Sequence, residues 1–430
     1  MKDKFLITNS VALNGGDAAI LLSMIESIKR EFGEDVDIKV QAKKHEACRR
    51  YYPEVDFIPA LEEREKGRNL FEKIFLRLKY SRLLLYAAME RFLKIRVSLL
   101  LTDMEREITG SFRDNNVVIS CGGGFLNDYY PLYKRTVGFI LARLYGCKTV
   151  IYAQSVGPFW RYISKLQARW ILENASLVIL RDEKSYDILR NRLNIKNENT
   201  HITADEAHLL PSVDPGKTPV SSIKKEFPGK LLVGISIRRW EFGDIPDEME
   251  RQRKVSLYIS AVKEICTHLV DKYNTHIVFI STCQGRPEYF IDDSKFAAGV
   301  IKDLPREARD NITVTSDAYD PRKLKKIMEN FDLFVGMRMH TIILAMCAGV
   351  PCVGLGYEFK TEELFKQVGL PEYAVDLKSD RIERLNDIVD DLIENREIVS
   401  KKIKNNLNDV IARAKTNASL LCSNPKNSVT

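Results

Sequence analysis

No stretch of the chain is long and apolar enough to cross a bilayer as a helix. The opening residues, MKDKFLITNS, carry no apolar signal core and enter a strand-like run at once, so a cytoplasmic protein is expected. The eight cysteines are scattered, with no CxxC pair and no zinc spacing. That excludes a recognisable zinc module and a disulfide framework, and the cysteines read as reduced, mostly buried thiols. Histidine is scarce, with six in the chain, so one placed in a loop motif carries information. A strong excess of one charge is lacking too: 66 Lys and Arg face 59 Asp and Glu, a net +7. Such a mild excess suits an anionic substrate or a membrane surface. It is too small to argue for nucleic acid, and no nucleic-acid motif is present. At 430 residues the expectation is two or three domains.

The chain is organised around Phe331–Lys360, FDLFVGMRMHTIILAMCAGVPCVGLGYEFK. Leu333–Val335 has strand character, Gly336 breaks it, and Arg338 and His340 follow with Met339 between them. Thr341–Cys347 reads as a helix with Thr341 as its N-cap, stopped by Gly349 and Pro351. Cys352–Leu355 is then the next buried strand. In a parallel sheet the loop of such a unit opens at the carboxyl end of the first strand, where ligands of open α/β sheets bind. Two residues apart on an extended segment, Arg338 and His340 share one side. An arginine fork grips carboxylate or phosphate, and a histidine beside it moves protons near neutral pH.

Strands are also expected at Phe5–Thr8, Val36–Val40, Val55–Ile58, Val117–Cys121, Thr149–Ala153, Leu177–Leu180 and 202–205. The first is followed by NSVALNGGD and a helix from Ala18. There Gly15-Gly16 can let backbone amides approach an anion or a sugar, and Asp17 is either a ligand or only an N-cap. After Val117–Cys121 come Gly122, Gly123, Gly124, Asn127 and Asp128. The glycines permit close approach of a ligand and the last two offer groups for hydroxyls; a plain tight turn is the alternative. Asp214–Pro219 is the best linker. Beyond it strands at Leu231–Ile237 and His276–Ser281 alternate with helices at Val255–Tyr273 and Pro321–Asn330, and Arg238 and Arg239 stand at a strand end. The division is therefore 1–213, 220–381 and terminal helices and tail 382–430, with a frayed end from Ala418. The architecture expected is α/β, two Rossmann-like domains facing a cleft, as in GT-B-type glycosyltransferases.

Residues 70–101, within a helical insertion at about 62–113, are apolar and basic: Lys73, Arg77, Lys79, Arg82, Arg91, Lys94 and Arg96 outnumber Glu72 and Glu90. Such a segment can lie on an anionic membrane surface. The alternative is an insertion packed on its own domain or, in a homo-oligomer, on a sister subunit.

The ordered set NGGDAAI, GGGFLND, AQSVGPF, RDEKS, TADEAHLL, GISIRR and GMRMHTIILAMCAGVPCVGLGYEFK resembles the polysaccharide pyruvyl transferase family from about Asn14 to Lys360. The resemblance implies transfer of pyruvate from phosphoenolpyruvate onto sugar hydroxyls of cell-surface glycans, usually as a ketal, with no metal or other cofactor required. Arg338, Arg238 or Arg239, and Lys360 would then hold the donor. His340 would exchange protons, and Asn14, Asp17, Gly123, Gly124, Asn127 and Asp128 would line the acceptor side, with Asp17 or Asp128 as a base. The acceptor would be a glycan or lipid-linked oligosaccharide met at the inner face of the membrane. One rival is a nucleotide-sugar glycosyltransferase of the same architecture. Many retaining enzymes of that kind carry paired glutamates, but here Lys366, Leu370 and Pro371 stand eight positions after Glu358, Glu362 and Glu363. Another rival is a non-catalytic glycan-binding subunit.

Overall fold

Short apolar runs, most of them leading into a helix, form two parallel sheets in a computed structural model of the chain, which describes residues 3–61, 70–96 and 101–422. Strands covered on both faces read as unbroken apolar runs, as in LVIL at 177–180. The chain divides into two units.

The first unit comprises residues up to Leu13, Ile20–Glu206, and Arg413 onward. Its strands are β1 (Lys4–Ser10), β2 (Asp37–Ala42), β3 (Asp56–Pro59), β4 (Val117–Ser120), β5 (Gly123–Leu126), β6 (Lys148–Val156), β7 (Leu177–Leu180) and β8 (Thr200–Ile202). They run in the order β3-β2-β1-β4-β6-β7-β8, with β5 added beside β6. Its helices are α1 (Gly15–Phe32), α2 (His45–Tyr51), α3 (Leu70–Ala88, extended by a π turn over Met89–Leu93), α4 (Asp103–Arg113), α5 (Tyr133–Leu144), α6 (Tyr162–Asn174) and α7 (Glu183–Asp187). α3 packs on α5 and α5 on α6, as right-handed crossovers on one side of the sheet require.

The second unit, Asn14–Ala19 and Ala207–Ala412, takes in the first turn of α1. Its strands are β9 (Leu231–Ser236), β10 (Thr275–Phe279), β11 (Ile312–Val314), β12 (Leu333–Gly336), β13 (Cys352–Gly356) and β14 (Ala374–Asp376), in the order β11-β10-β9-β12-β13-β14. Its helices are α8 (Pro219–Glu226), α9 (Glu248–Tyr273), α10 (Asp293–Ile301), α11 (Arg306–Arg309), α12 (Pro321–Met328), α13 (Met339–Cys347), α14 (Phe359–Gln367), α15 (Leu385–Glu394) and α16 (Arg396–Cys422), whose last turns return to the first unit.

Several sequence expectations are corrected. The division falls at Glu206/Ala207, not at Asp214–Pro219. The preceding segment is already tied into the second unit, because Leu210 O accepts from Lys325 Nζ and Val213 N donates to Arg322 O. The end expected to fray from Ala418 continues α16 to Cys422, with Asn417 and Ala418 buried. Gly123 and Gly124 open a strand rather than a turn. The last strand of the first half runs over Thr200–Ile202, before Asp205. Residues 62–69 and 97–100 of the expected insertion, and the side chains of 70–76 (Glu72 and Lys73 among them), lie outside the described residues.

The described side chains of this segment, from Arg77 to Arg96, are divided between a buried and an exposed face. Tyr80, Leu83, Tyr86 and Ala87 are buried in a core cluster with Ile108, Phe112, Val137 and Leu141. Arg82 and Lys79 pair with buried Glu105, and Arg96 and Arg113 with buried Glu90. Leu78, Leu85 and Phe92, seven positions apart, remain exposed together with Arg77, Arg91 and Lys94. Among the described residues, no helix is long and apolar enough to cross a membrane.

The return of α16 is held by Arg413 and Asn417, which donate to Thr203 O and Ala204 O, and by one buried carboxyl group. Glu206 is buried and its Oε2 accepts from Asn417 Nδ2 at 2.6 Å and Tyr152 Oη at 3.2 Å. Burial pushes its pKa up to about 7, against the hydrogen bonds from Ser27, Asn417 and Tyr152, and nearby Asp205 adds to the rise. The folded value lies above the ordinary 4.5, so the folded chain binds the proton more tightly than the unfolded one. The stabilisation is complete below the unfolded value and is lost as pH rises through about 7. Glu206→Gln keeps the shape and removes the titration. Urea unfolding at about pH 5 and about pH 8 should show wild type losing on the order of 2 kcal/mol relative to the variant across that interval.

Candidate functional site

In the second sheet, β9 and β12 lie side by side at the point where strand order reverses. The helices that follow them depart to opposite faces, which opens a crevice at the carboxyl ends of the strands. Every charged residue singled out in the second half of the sequence emerges there. Arg238 and Arg239 follow β9, Arg338 and His340 follow β12, and Lys360 lies just beyond β13.

Arg338 is buried, and its Nε and Nη2 donate to the two oxygens of buried Asp293, each at 2.7 Å. Asp293 also accepts from Ser281 Oγ at 2.6 Å, beyond the end of β10. Two of the five guanidinium N–H groups are thus held by protein, and Nη1 stands outside the pair. Helix α13 starts earlier than expected, at Met339, with Arg338 as its cap residue. Arg338 and His340 therefore do not share an extended segment, since His340 already lies in the first helical turn. Thr341 is not the cap; its buried hydroxyl faces Thr282 Oγ1 at 3.3 Å.

The turn before α1 joins this group within the same unit. Asn14 Oδ1 accepts from the amides of Gly16 and Asp17 and so caps the helix, which corrects the reading of Asp17 as cap. Gly15 N donates to Thr282 O at 3.0 Å. A Cβ on Gly15 would lie 2.3 Å from that oxygen, and one on Gly16 2.6 Å from His340 Nδ1. The glycine pair is therefore explained by close packing against Thr282 and His340, and its amides already have protein acceptors. Cys283 Sγ donates to Asn14 Oδ1 at 3.2 Å. Burial pushes that thiol up to about 11, with Asp293 and Asp17 adding to the rise against Arg338 and Arg238. Cys283 is thus a neutral wall, and Asp17 is close enough to bear on it.

The remaining cations differ in what holds them. Arg238 is half-buried, donates from Nη1 to Tyr357 Oη at 2.9 Å, and lies over the Trp240 and Tyr357 rings. Its Nε is buried and has no hydrogen-bond partner. Arg239 is exposed and pairs with Glu241. Lys360 pairs with Glu358 at 2.7 Å. No group of three or more His, Cys, Asp or Glu among the described residues is arranged to hold a metal ion.

Gly123, Gly124, Asn127 and Asp128 belong to the first unit and carry local structure. Asn127 is fully buried, donating to Gly124 O and accepting from Tyr129 N. Asp128 Oδ2 accepts from the amides of Trp160 and Arg161 at 2.6 Å each. Burial alone would raise its pKa, but hydrogen bonds from Ser164 and those amides, with the Arg161 charge, hold it below the usual carboxylate range. The acceptor-facing role expected of Asn127 and Asp128 is not visible in these contacts. Sequence reasoning missed Asp293, Tyr357, Tyr258 and the Ser281–Cys283 loop. The loop follows a strand as the other site loops do, which was the available signal. Nothing local marks Asp293 as the partner of a residue 45 positions away.

A model of the polysaccharide pyruvyl transferase family matches residues 14–358. The chain belongs to this family. It is 24% identical over 409 residues to the amylovoran biosynthesis protein AmsJ of Erwinia amylovora, with 93% of this chain and 95% of AmsJ covered. In fold it is similar to a glycosyltransferase from Rickettsia africae (10% identity, TM-score 0.57, 98% of this chain and 97% of that one). It is likewise similar to a putative UDP-N-acetylglucosamine 2-epimerase from Listeria monocytogenes (13%, 0.59, 97% and 94%). These two likenesses place the chain in the GT-B fold class. The pyruvyl transferase match opens at Asn14 and closes at Glu358, so it contains Arg238, Asp293, Arg338 and His340, and Lys360 falls just beyond it.

Removing one partner of a buried pair leaves the other charge uncompensated. Asp293→Asn should therefore lower the unfolding free energy by about 3 kcal/mol, measured by urea denaturation. A change near zero would mean that Arg338 finds another partner.

Proposed function

We propose that this pyruvyl transferase moves the pyruvate unit of phosphoenolpyruvate onto sugar hydroxyls of a cell-surface or exopolysaccharide glycan precursor. The product is a ketal, and phosphate is released. The observation that carries the donor assignment is Arg238. Arg338 and Lys360 already face carboxylates, whereas the partners of Arg238 are a hydroxyl and two ring faces, and its Nε is buried without an acceptor. A buried donor of that kind is satisfied by an oxygen of an anion. Phosphoenolpyruvate supplies a carboxylate and a phosphate, and the second oxyanion falls to Arg338 Nη1.

The reaction balances without a further co-reactant. Two acceptor hydroxyls bond to C2 and the C2–O bond to phosphate breaks. Of the two hydroxyl protons lost, one ends on C3, making a methyl group, and the other leaves with phosphate. His340, packed against Gly16 at the rim of the crevice, is the group assigned to exchange these protons. Asp17, on the same turn as Gly16, is assigned to orient or deprotonate an acceptor hydroxyl. No metal or separate cofactor enters this scheme. The acceptor we assign is a glycan or lipid-linked precursor, which brings peripheral membrane contact through residues 70–101 with it. The exposed Leu78, Leu85 and Phe92 beside basic side chains support that contact.

Purified protein incubated with phosphoenolpyruvate and glycan acceptors should release phosphate only when an acceptor is present. Release of nucleotide from UDP-sugars instead would identify a glycosyltransferase. His340→Ala should lower turnover by about 10²–10⁴-fold while leaving the unfolding transition intact. Arg238→Lys should weaken phosphoenolpyruvate binding in calorimetry, because a point charge does not reproduce a planar fork. Unchanged donor affinity would remove Arg238 from the donor site.

A further inference from the structure

The segment from Trp160 through α6 exposes apolar side chains that no described part of the molecule covers. Trp160 is 50% exposed, Tyr162 74%, Ile163 70% and Leu166 49%. On α6, positions 162, 163, 166 and 170 recur at helical spacing and form one face, on which Trp170 packs partly against Phe139. Interleaved with them are Arg161, Lys165 and Arg169, and the only acid of the helix, Glu173, pairs with Arg169 at 2.8 Å. We propose that this face docks the protein on an anionic lipid bilayer, with Trp160, Tyr162 and Ile163 entering the headgroup boundary.

Three observations select lipid over other occupants. Tryptophan and tyrosine beside aliphatic side chains are the residues that settle at a membrane interface, where a ring buries its body and keeps its polar tip wet. The cations in their midst are attracted by anionic headgroups. The third observation is how the face is built. Asp128, from the GGGFLND stretch, accepts the Trp160 and Arg161 amides and pairs with the Arg161 guanidinium, and Tyr129 meets the Trp160 ring edge-on at 5.1 Å. Trp160 is therefore displayed on a fixed platform rather than left on a loose loop. The platform stands where β6 ends and α6 begins, at the carboxyl edge of the first sheet. A lipid-linked sugar held at that height would reach the same edge of the sheet.

This assignment goes beyond the contact proposed for residues 70–101 and does not depend on phosphoenolpyruvate. Tryptophan fluorescence reads it directly, since two of the three tryptophans, Trp160 and Trp170, lie on this face. Mixing the full chain at low salt with phosphatidylcholine vesicles containing phosphatidylglycerol should shift emission to the blue, and brominated lipids should quench it. The double variant Trp160→Ala, Ile163→Ser should lose vesicle affinity by about tenfold or more in co-sedimentation. Lys165→Gln with Arg169→Gln should weaken binding and flatten its salt dependence. Absence of binding by wild type, or equal binding by the Trp160→Ala, Ile163→Ser variant, would overturn the proposal. So would a lipid-independent dimer that the same variant dissolves, which would give the face to a second copy. Pyruvyl transfer to a soluble acceptor is measured separately, so its failure and the failure of docking are distinguishable.

Discussion

The buried pair between Arg338 and Asp293 is the contact on which the edge of the second sheet is arranged. Neither charge is tolerable alone in an apolar interior, so each fixes the position of the other. The pair joins the exit of β12 to the start of α10. Through Ser281 it also fixes the exit of β10. The Arg338 backbone does the rest: its carbonyl accepts from Ile342, which starts α13 and so sets the height of His340. From there Thr341 meets Thr282, and Thr282 holds Gly15. A chain of short contacts thus runs from one ion pair to the residues assigned to proton transfer. Disturbing the pair moves the whole set, not one side chain.

Topology explains why these residues meet although they lie far apart in sequence. β9 and β12 pair in register, Ser236 beside Gly336, because the sheet grows outward in both directions from β9. The loops that follow these two strands must diverge, and a crevice opens between them. Arg238 enters from one loop, and Arg338 and His340 from the other. Tyr258 in α9 closes the back, its hydroxyl donating to Arg238 O at 3.1 Å. The second sheet therefore gathers these cations at one edge for reasons of strand order.

Strands were legible because a parallel sheet buries both faces. Val117-Val118-Ile119 and Leu177–Leu180 cannot be solvated comfortably, and their positions were read almost to the residue. Strands of only three residues, such as β11 and β14, are too short to give such a signal. Single polar residues were harder to read, since their roles depend on partners that the sequence separates. Gly15 and Gly16 suggest an open turn, but they are small because Thr282 and His340 occupy the space a side chain would need. Asn127 and Asp128 suggest a ligand site, yet they fold the chain around Trp160. The α16 return to the first unit was hidden for the same reason: Asn417 has meaning only beside Ala204 and Glu206.

What separates a binding arginine from a structural one is the nature of its partner. A guanidinium already facing a carboxylate is neutralised, and an incoming anion must compete with a group held in place by the fold. A guanidinium held by a phenol and by ring faces keeps its full charge while losing its freedom to move. Arg238 is of the second kind, fixed by Tyr357 and Trp240 with its Nε unsatisfied. Arg338 is of the first through Nε and Nη2, with Nη1 outside the pair, and Arg239, exposed, pairs with Glu241. The same charge at three positions of one crevice edge thus has three meanings. An anion brought to Arg238 would gain a pre-set partner without displacing any acid, which suits the donor proposed above with its two oxyanion groups.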